Sequence, residues 1–491
     1  MQIPILTRAG KAISNDKSSQ EAINWFAEES TQESDPGAML PSHGASLFTT
    51  TPNAGVIRGM LYNPEDQLLY VVSGDTLYEI TESAAATSRG TFVSSNGFVQ
   101  MSFNAFSDEI LIVDANKGYI FNTSTNVFTQ IVDANFPDPG PGTCAYKDGY
   151  FLVGDPNNTG RFRWSALNDG LTWPDTNFAT VESIESRVSQ ILTDKTNVYI
   201  WGQNRGEVWY NSGDPDQIFE RFEFLNSGTF SAHLDGAKPC QLFGNTLAWM
   251  QQNKRGQLQA VIAGTQYQPT VISTPELERT WKDFNTGSIF TYAMQIDGHE
   301  FFIVTFSGGN GATYAYDAAT EIWHQKSGAF SSGEPTRDLV NAYTFCERWG
   351  VNGGFNLGIH LVGDYQANGR IYEIRRDLYT WNGVAMDRRL TGPQIKIVNK
   401  ARLTFSEIQI ETNREATSGD IIVSWSKDGG QTYSSGRTLA LNSPRLVTRK
   451  PGYARSWIFR VYTNSTDKVL IKNAYGRMVD EPLPGFKQQA A

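Results

Sequence analysis

Cysteine, charge and long apolar runs are all scarce in this sequence, and each scarcity excludes a class of protein. Cys144, Cys240 and Cys346 are too few and too widely spaced for a disulfide framework or a CxxC metal pair. Only 19% of residues are charged, which argues against coiled coils, helical bundles and disordered chains. No run approaches the roughly 18 apolar residues of a membrane span, and the N-terminal residues lack a secretory h-region. We expect unpaired thiols, no membrane insertion and folding in a reducing cytoplasm.

Motifs for metal, phosphate or nucleophilic chemistry are also missing. No two histidines lie at the close spacing that would place two metal ligands on one element. The sequence has no GxxxxGK[ST] loop, no GxGxxG between strand and helix, and no GxSxG elbow. We predict no catalytic residues, no cofactor and no metal, and a solvated or hydrogen-bonded role for every histidine. The histidines are His43, His233, His299, His324 and His360.

Aromatic residues and glycine are abundant by contrast. Aromatics make up 12% of the 491 residues and there are 45 glycines, which is typical of an all-β chain. An apolar strand, a turn rich in Gly, Asp or Asn and a second strand with aromatics recur along the chain. These hairpins cover 68–80, 109–122, 150–165, 198–211, 247–263, 301–317 and 359–374.

The spacing of these hairpins points to a repeat fold. Equivalent positions lie 41 to 58 residues apart, which brackets the roughly 40–50-residue period of propeller blades. We therefore predict an all-β, β-propeller-like fold of six or seven blades, with a run of hairpins in ordinary sandwiches as the alternative. After about residue 390 a regular apolar–polar alternation predicts a C-terminal β-sandwich-type domain.

These patterns divide the chain into four parts. They are an extended N-terminal arm (1–55), the β-propeller (56–390), an antiparallel β domain (391–480) and a flexible tail (481–491). Within the arm, a short helix is predicted around Glu21–Glu29. Arms of this kind often pack on a neighbour or close a propeller.

Charge is distributed unevenly along the chain. Residues 1–369 hold 21 Lys/Arg against 40 Asp/Glu, a net −19, whereas residues 370–491 hold 20 against 11, a net +9. The overall −10 disfavours a general nucleic-acid binder. The basic residues of the C-terminal part either contact DNA or an acidic partner, or are solvated positions on β faces. The clusters are Arg375, Arg376, Arg388, Arg389, Arg445, Arg449, Lys450, Arg455 and Arg460.

One local motif resembles the Asp-box, S-x-D-G-G-x-T-[WY], of sialidases and other β-repeat proteins. The carboxylate can accept bonds from turn amides, and the glycines supply positive φ. In the families that carry it, the box forms a turn and lies far from the active site. We therefore predict a structural turn. A degenerate version occupies 165–173. The predicted turn residues are Ser426, Asp428, Gly429, Gly430, Thr432 and Tyr433.

Several segments together resemble the tail hub, or packaged-DNA stabilisation, proteins of short-tailed bacteriophages. GVIRGMLYNPEDQLLYVVSGDTLYEI at 55–80 resembles an early hairpin of that family. The stretch 165–221, with SALNDGLTW and EVWYNSGDPD, is the most specific match, and ERTWKDF at 278–284 and the hairpins of 297–325 follow the same pattern. An Asn-aromatic-x-Glu element lies within 23–28. The resemblance covers roughly residues 20–330.

The resemblance implies a structural virion protein without catalytic activity. It implies a homo-oligomeric ring, usually a hexamer, below the portal and the head-to-tail adaptor. That ring continues the channel for genomic dsDNA, retains the packaged genome and carries tail needle, fibre or spike proteins. Two alternatives stay open: a propeller glycosidase acting on host-surface polysaccharide, which needs paired carboxylates or an arginine cluster, and a glycan-binding tail protein using exposed aromatics such as Trp201, Trp209 and Tyr210.

Overall fold

The computed structural model contains 47 β-strands, β1 to β47 in chain order, and one short α-helix, α1 (Pro275–Trp281), among the residues it describes. The helix α1 is too short to cross a membrane, and no other described helix is long enough either. The described residues are 1–4, 9–11, 19–28, 37–183, 186–202, 205–225, 229–230, 238–253, 255–264, 267–307, 311–331, 334–337, 340–352, 355–356, 358–396, 403–413, 415–416 and 418–479.

Most strands belong to seven antiparallel, four-stranded blades. Blades 1 and 2 contain β7 (Ile57–Asn63), β8 (Leu68–Ser73), β9 (Thr76–Ile80) and β10 (Ala86–Thr91), then β11 (Gln100–Asn104), β12 (Glu109–Val113), β13 (Gly118–Asn122) and β14 (Val127–Gln130). Blades 3 and 4 contain β15 (Cys144–Lys147), β16 (Tyr150–Gly154), β17 (Arg161–Trp164) and β18 (Phe178–Thr180), then β19 (Gln190–Thr193), β20 (Asn197–Trp201), β21 (Gly206–Asn211) and β22 (Phe219–Leu225).

The remaining blades carry small additions. Blade 5 contains β24 (Cys240–Phe243), β25 (Thr246–Gln252), β26 (Leu258–Ala263) and β27 (Pro269–Val271), with β23 (Thr229–Phe230) also beside β25. Blade 6 contains β28 (Ile289–Ile296), β29 (His299–Phe306), β30 (Thr313–Asp317) and β31 (Ile322–Ser331), with β32 (Glu334–Arg337) beside β31. Blade 7 contains β33 (Val340–Cys346), β36 (Ile359–Asp364), β37 (Arg370–Arg375) and β6 (Gly44–Thr50), extended by β38 (Thr380–Trp381) and β39 (Val384–Ala385). A small hairpin, β34 (Val351–Asn352) and β35 (Phe355–Asn356), lies between β33 and β36.

The N-terminal segment closes the propeller. Strand β6 pairs antiparallel with β37 from Arg370↔Thr50 to Arg375↔Gly44, so the last blade takes its fourth strand from the start of the chain. The first strands of successive blades contact one another around a complete circle, from β7 through β33 and back to β7. Closure covers sheet edges that would otherwise stay open to solvent. The predicted propeller is confirmed, and the described residues form seven blades.

Each blade is apolar on both faces because it packs between two others. In β8, Leu69 and Val71 face blade 7, whereas Tyr70 and Val72 face blade 2, and all four are buried. The same arrangement is repeated in seven separate clusters, one between each pair of neighbouring blades. A strand buried on both faces reads as a continuous apolar run, which explains sequences such as LLYVV at 68–72.

A β-sandwich follows the propeller, and both ends of the chain contribute to it. One sheet has the order β4-β5-β47-β42-β45, with β1 beside β47. The other has the order β3-β40-β46-β43-β44 and continues into blade 6 through β31. The strands are β1 (Gln2–Ile3), β2 (Gly10–Lys11), β3 (Ser19–Ile23), β4 (Trp25–Glu28), β5 (Ala38–Pro41), β40 (Arg388–Thr391), β41 (Ile395–Lys396), β42 (Leu403–Thr412), β43 (Asp420–Ser426), β44 (Arg437–Ala440), β45 (Leu446–Ala454), β46 (Ser456–Thr463) and β47 (Ile471–Val479).

The helix predicted around Glu21–Glu29 is wrong, because the described part of this segment is extended. Trp25 and Ala27 enter the sandwich core, whereas Phe26 packs between blades 6 and 7. Consecutive side chains therefore point to opposite sides, as in a strand and not a helix. The predicted flexible tail, 481–491, lies outside the described residues.

Candidate functional site

The Asp-box residues form the turn between β43 and β44. The Asp428 carboxylate accepts bonds from the Ser426 hydroxyl at 2.6 Å and from the Thr432 amide at 3.0 Å, and also from the Thr432 hydroxyl. These bonds hold the pKa of Asp428 well below its usual range. Gly429 and Gly430 have φ of 77° and 93°, the left-handed region in which glycine is not strained. The carboxylate accepts its hydrogen bonds from groups of the turn itself, so the box stabilises the backbone of this turn.

The aromatic residue that ends the box is held by a buried ionic cluster. The guanidinium of Arg460 lies 3.6 Å from the centre of the Tyr433 ring and also 3.2 Å from the carboxylate of Glu21. The same carboxylate is 3.2 Å from Arg389 and accepts a 2.8 Å bond from Thr391. Glu21 is only 6% exposed, so its charge needs these partners. The cluster joins the N-terminal segment to the sandwich.

Asn24 connects three parts of the fold. Its buried side chain donates 2.7 Å bonds to the carbonyls of Ser327 in blade 6 and Asp387 at the entry to the sandwich. Its side-chain oxygen accepts from the Ser327 amide at 2.9 Å, and its own amide donates to the Gln325 carbonyl. Its φ of 55° suits asparagine better than most residues. This is the asparagine of the 23–28 element, and the structure shows that it fixes the junction.

The predicted basic clusters separate into buried and exposed arginines. Arg388 is fully buried and donates to the carbonyls of Tyr379 and Ser465 at 3.0 Å, and burial lowers its pKa to about 10. Arg388 and Arg389 therefore hold the junction and are not available to DNA or a partner. Arg445 and Arg449, by contrast, have side chains 63% and 77% exposed.

Four of the predicted histidines lie near the junction of blades 6 and 7. His43 is 2.7 Å from Asp297, and His299 is 2.7 Å from Asp317. The bond to Asp317 raises the pKa of His299, whereas burial lowers the pKa of His43. Burial lowers the pKa of His324 to about 3 and that of His360 to about 4. His233 lies outside the described residues, within which no three His, Cys, Asp or Glu side chains are grouped to hold a metal.

A clamp around Arg58 holds the first two blades together, and sequence reasoning did not identify it. Arg58 is 1% exposed and donates to the carbonyls of Gly74, Ser94 and Gly97 at 2.9 Å, to the Asn96 carbonyl, and to the Ser94 hydroxyl at 2.8 Å. The sequence feature that could have identified it is the Arg58-Gly59 pair of the 55–80 segment. Above, that pair served only as part of the resemblance to the family.

Lys238 crosses the middle of the propeller. Its backbone pairs beside β28 of blade 6, and its side chain donates to the Val99 carbonyl at 3.1 Å, next to blade 2. Desolvation inside the ring of blades lowers its pKa to about 8. Because these blades are not neighbours, the side chain spans the central space. A space bridged by one lysine cannot admit a duplex whose major groove alone is about 12 Å wide.

The aromatic residues considered for sugar stacking are mostly internal. Trp201 is fully buried between blades 4 and 5, and Trp209 is 7% exposed between blades 3 and 4. Tyr210 is half-buried and donates a 2.7 Å bond to Glu220. The two tryptophans contribute to core packing and present no surface platform.

A cavity of about 280 Å³ lies where blades 6 and 7 meet. Glu373 and Asp377 line it together with Arg375 and Arg376. Asp377 is held by Arg375 through bonds of 3.0 and 2.8 Å, which lower its pKa, whereas burial raises the pKa of Glu373. Glu373 could thus serve as an acid and Asp377 as a base, but Asp377 is bound in an ion pair with Arg375.

Comparison with known proteins agrees with the blade architecture. Residues 1–376 match the model of the phage stabilisation family, described as "Bacteriophage P22 Gp10, beta-propeller". No curated protein matches the chain. Among solved structures, the N-terminal domain of Nup159 aligns at 9% identity and a TM-score of 0.39, covering 73% of this chain and 99% of that domain. Because the family model covers well over half of the chain, the protein belongs to the phage stabilisation family and is a structural protein of the phage tail.

Proposed function

We propose that this protein is the tail hub of a short-tailed phage, a homohexameric ring below the portal and adaptor. The ring continues the channel for double-stranded DNA, retains the packaged genome and carries the needle, fibre or spike proteins. The subunit is made in the host cytoplasm, functions in the virion and has no enzymatic activity. The observation that carries the proposal is the family match over residues 1–376.

The lysine that bridges the propeller axis supports a channel between subunits and not through each propeller. Since Lys238 bridges the central space to Val99, a duplex would have to pass outside each propeller, along a path enclosed by several copies. The net −19 of residues 1–369 suits a wall along which phosphates slide without binding. We also propose the division into an arm (1–55), a propeller (56–390), an antiparallel domain (391–480) and a tail (481–491), with the arm integrated into both folded parts.

The test is the mass and image of the assembled protein. Native mass spectrometry and electron microscopy should show a ring of six 54.5-kDa subunits with an axial channel, either alone or on a purified portal–adaptor complex. A subunit that stays monomeric under both conditions would contradict the proposal. Lys238→Met serves as a control, because it changes the propeller axis but not a channel between subunits, and ring formation should be unaffected.

A glycosidase is the second candidate, because Glu373 and Asp377 share a cavity. Incubation with host-surface polysaccharides should separate the two candidates. Cleavage that is lost in Glu373→Gln would favour the enzyme, whereas uncut polysaccharide together with ring formation is the result that we expect.

A further inference from the structure

The outer face of one sandwich sheet is an exposed array of arginines and tyrosines. In register, Glu407 on β42 is flanked by Arg449 on β45 and by Arg477 on β47. Arg445 donates to Glu407 at 3.3 Å and to Gln409 at 2.8 Å. Glu407 is also 3.7 Å from Arg449, and Glu411 is a second, exposed acid on the same face of β42. Three arginines thus face two carboxylates, and the face keeps an excess of positive charge. We name it the arginine face, defined by Arg445, Arg449, Tyr453, Tyr475 and Arg477.

The composition of this face is that of a protein interface. Tyr453 is 57% exposed and Tyr475 42% exposed, and both point outward with the arginines. Tyrosine and arginine are among the residues enriched where proteins meet. A plain solvated β face would more often present lysine, glutamate and serine, which interfaces lack. A surface that complements this face would be apolar at its centre, to cover the tyrosines, and acidic around it, to pair with the arginines.

The same chain provides such a surface at one end of the propeller. In antiparallel blades, the loops between first and second strands and between third and fourth strands lie at the same end. In blades 1 to 4 these loops carry a series of exposed or half-exposed acids, with Lys195 as the exposed cation among them. The acids are Glu65, Asp66, Glu82, Asp108, Asp148, Asp169, Asp175, Asp194, Asp214 and Asp216. We name this surface the acidic end.

The acidic end also has an apolar centre. Phe106 is 82% exposed and Leu167 58% exposed. They belong to neighbouring loops, which are joined by a 3.2 Å bond from Asn104 to Asn168. Loops at the opposite end of the same blades carry charges of both signs, because Lys117, Arg187 and Arg205 lie among their acids. Charge and apolar area thus both match the arginine face at this end.

We infer that the arginine face of one subunit binds the acidic end of the propeller of the next copy, and that this contact closes the ring. The inference rests on the proposed ring and assigns the surfaces that build it. A contact between two different patches is heterologous, and such contacts generate closed rings when the rotation between copies is right. The attraction is between exposed charges, so it weakens with salt.

Charge reversal with a rescue tests the contact. The first variant carries Arg449→Glu and Arg477→Glu, and the second carries Glu65→Lys and Asp216→Lys. A control carries Arg437→Glu and Lys468→Glu, which changes the net charge of the same domain equally at exposed positions outside the arginine face. Assembly is followed by sedimentation velocity at 0.1 and 0.5 M salt, and folding by thermal melting.

We expect the first two variants to weaken ring formation by about tenfold or more at low salt, while the control assembles normally. Combining both pairs of reversals in one chain should restore the ring. Rings that form normally in both variants would overturn the inference but leave the proposed function standing. A wild-type protein that forms no ring, alone or on the portal–adaptor complex, would overturn both. Intact rings that lose duplex-DNA binding in the first variant would identify phosphate as the occupant and also overturn the inference.

Discussion

Replacing Arg58 should destabilise the propeller strongly, although nothing in the sequence marks this arginine as buried. The side chain is 1% exposed and donates to the carbonyls of Gly74, Ser94, Asn96 and Gly97 and to one hydroxyl. Arg58→Met would leave these acceptors without their donor and the fully buried carboxylate of Asp114, 3.8 Å away, without its cation. Arg58→Lys keeps the charge, but an ammonium has three donors and lacks the planar fork of the guanidinium.

The magnitude follows from the number and burial of the lost bonds. Breaking a buried charged network by removing one partner costs about 3–5 kcal/mol. Domains of 150–250 residues lose about 2–4 °C of melting temperature per kcal/mol and larger ones lose less, so Arg58→Met should melt about 5 °C lower. Arg58→Lys should lie between Arg58→Met and the wild type.

Arg89→Met is the matched control, because it removes an arginine from the same blade. Arg89 pairs with Glu79 at 2.8 and 2.9 Å, but its side chain is 24% exposed. Neither side chain of this pair is fully buried, Glu79 being 12% exposed, so its loss should cost less than that of the clamp, about 1–2 kcal/mol. The assay is differential scanning calorimetry, with hydrogen exchange of the 94–99 loop as a local measure. If Arg58→Met and Arg89→Met melted within about 1 °C of each other, the reasoning on the buried clamp would be refuted.

Three further predictions concern the junction, the histidines and the Asp-box. Asn24→Ala removes the side-chain bonds to Ser327 and Asp387, so the N-terminal segment should become sensitive to limited proteolysis, whereas Asn53→Ala should not have this effect. The pKa of His324 is about 3 in the folded protein and about 6.5 in the unfolded chain. Its contribution to the free energy of unfolding is therefore complete above pH 6.5 and is lost as the pH falls toward 3. His324→Gln should reduce the loss of stability measured between pH 7 and pH 5. Asp428→Ala should lower the melting temperature of the sandwich and leave the propeller unchanged, and an unchanged sandwich transition would contradict the role of the box as a turn.

The repeat was visible in the sequence because a blade buries both faces of its strands. Runs such as 68–72 and 109–113 are apolar without alternation, and turns of Gly, Asp and Asn separate them, so the hairpins could be located one by one. The blade count stayed open at six or seven because the hairpin period drifts from 41 to 58 residues, and the pairing of 44–50 with 370–375 that completes blade 7 has no local signal. Local patterns carry no information about a pairing across more than three hundred residues.

The junction could not be predicted for the same reason. Residues 21–28 were expected to include a helix, but Trp25 and Phe26 enter two different cores, and only the folded chain brings those cores together. Arg388 and Arg445 looked alike in the sequence, although one is fully buried and the other is 63% exposed. Burial of a cation depends on carbonyls and carboxylates supplied by distant segments.

The sequence by itself determined the all-β class, the repeating hairpins, the Asp-box turn motif and the contrast between an acidic body and a basic C-terminal part, because these follow from composition and short-range order. The tertiary structure alone decided that there are seven blades, that the N-terminal strand β6 closes the propeller, that Lys238 spans its centre and that Glu21 and Asn24 join propeller to sandwich. Each of these depends on contacts between residues far apart in the chain, whose energies are decided by burial and geometry and not by local sequence.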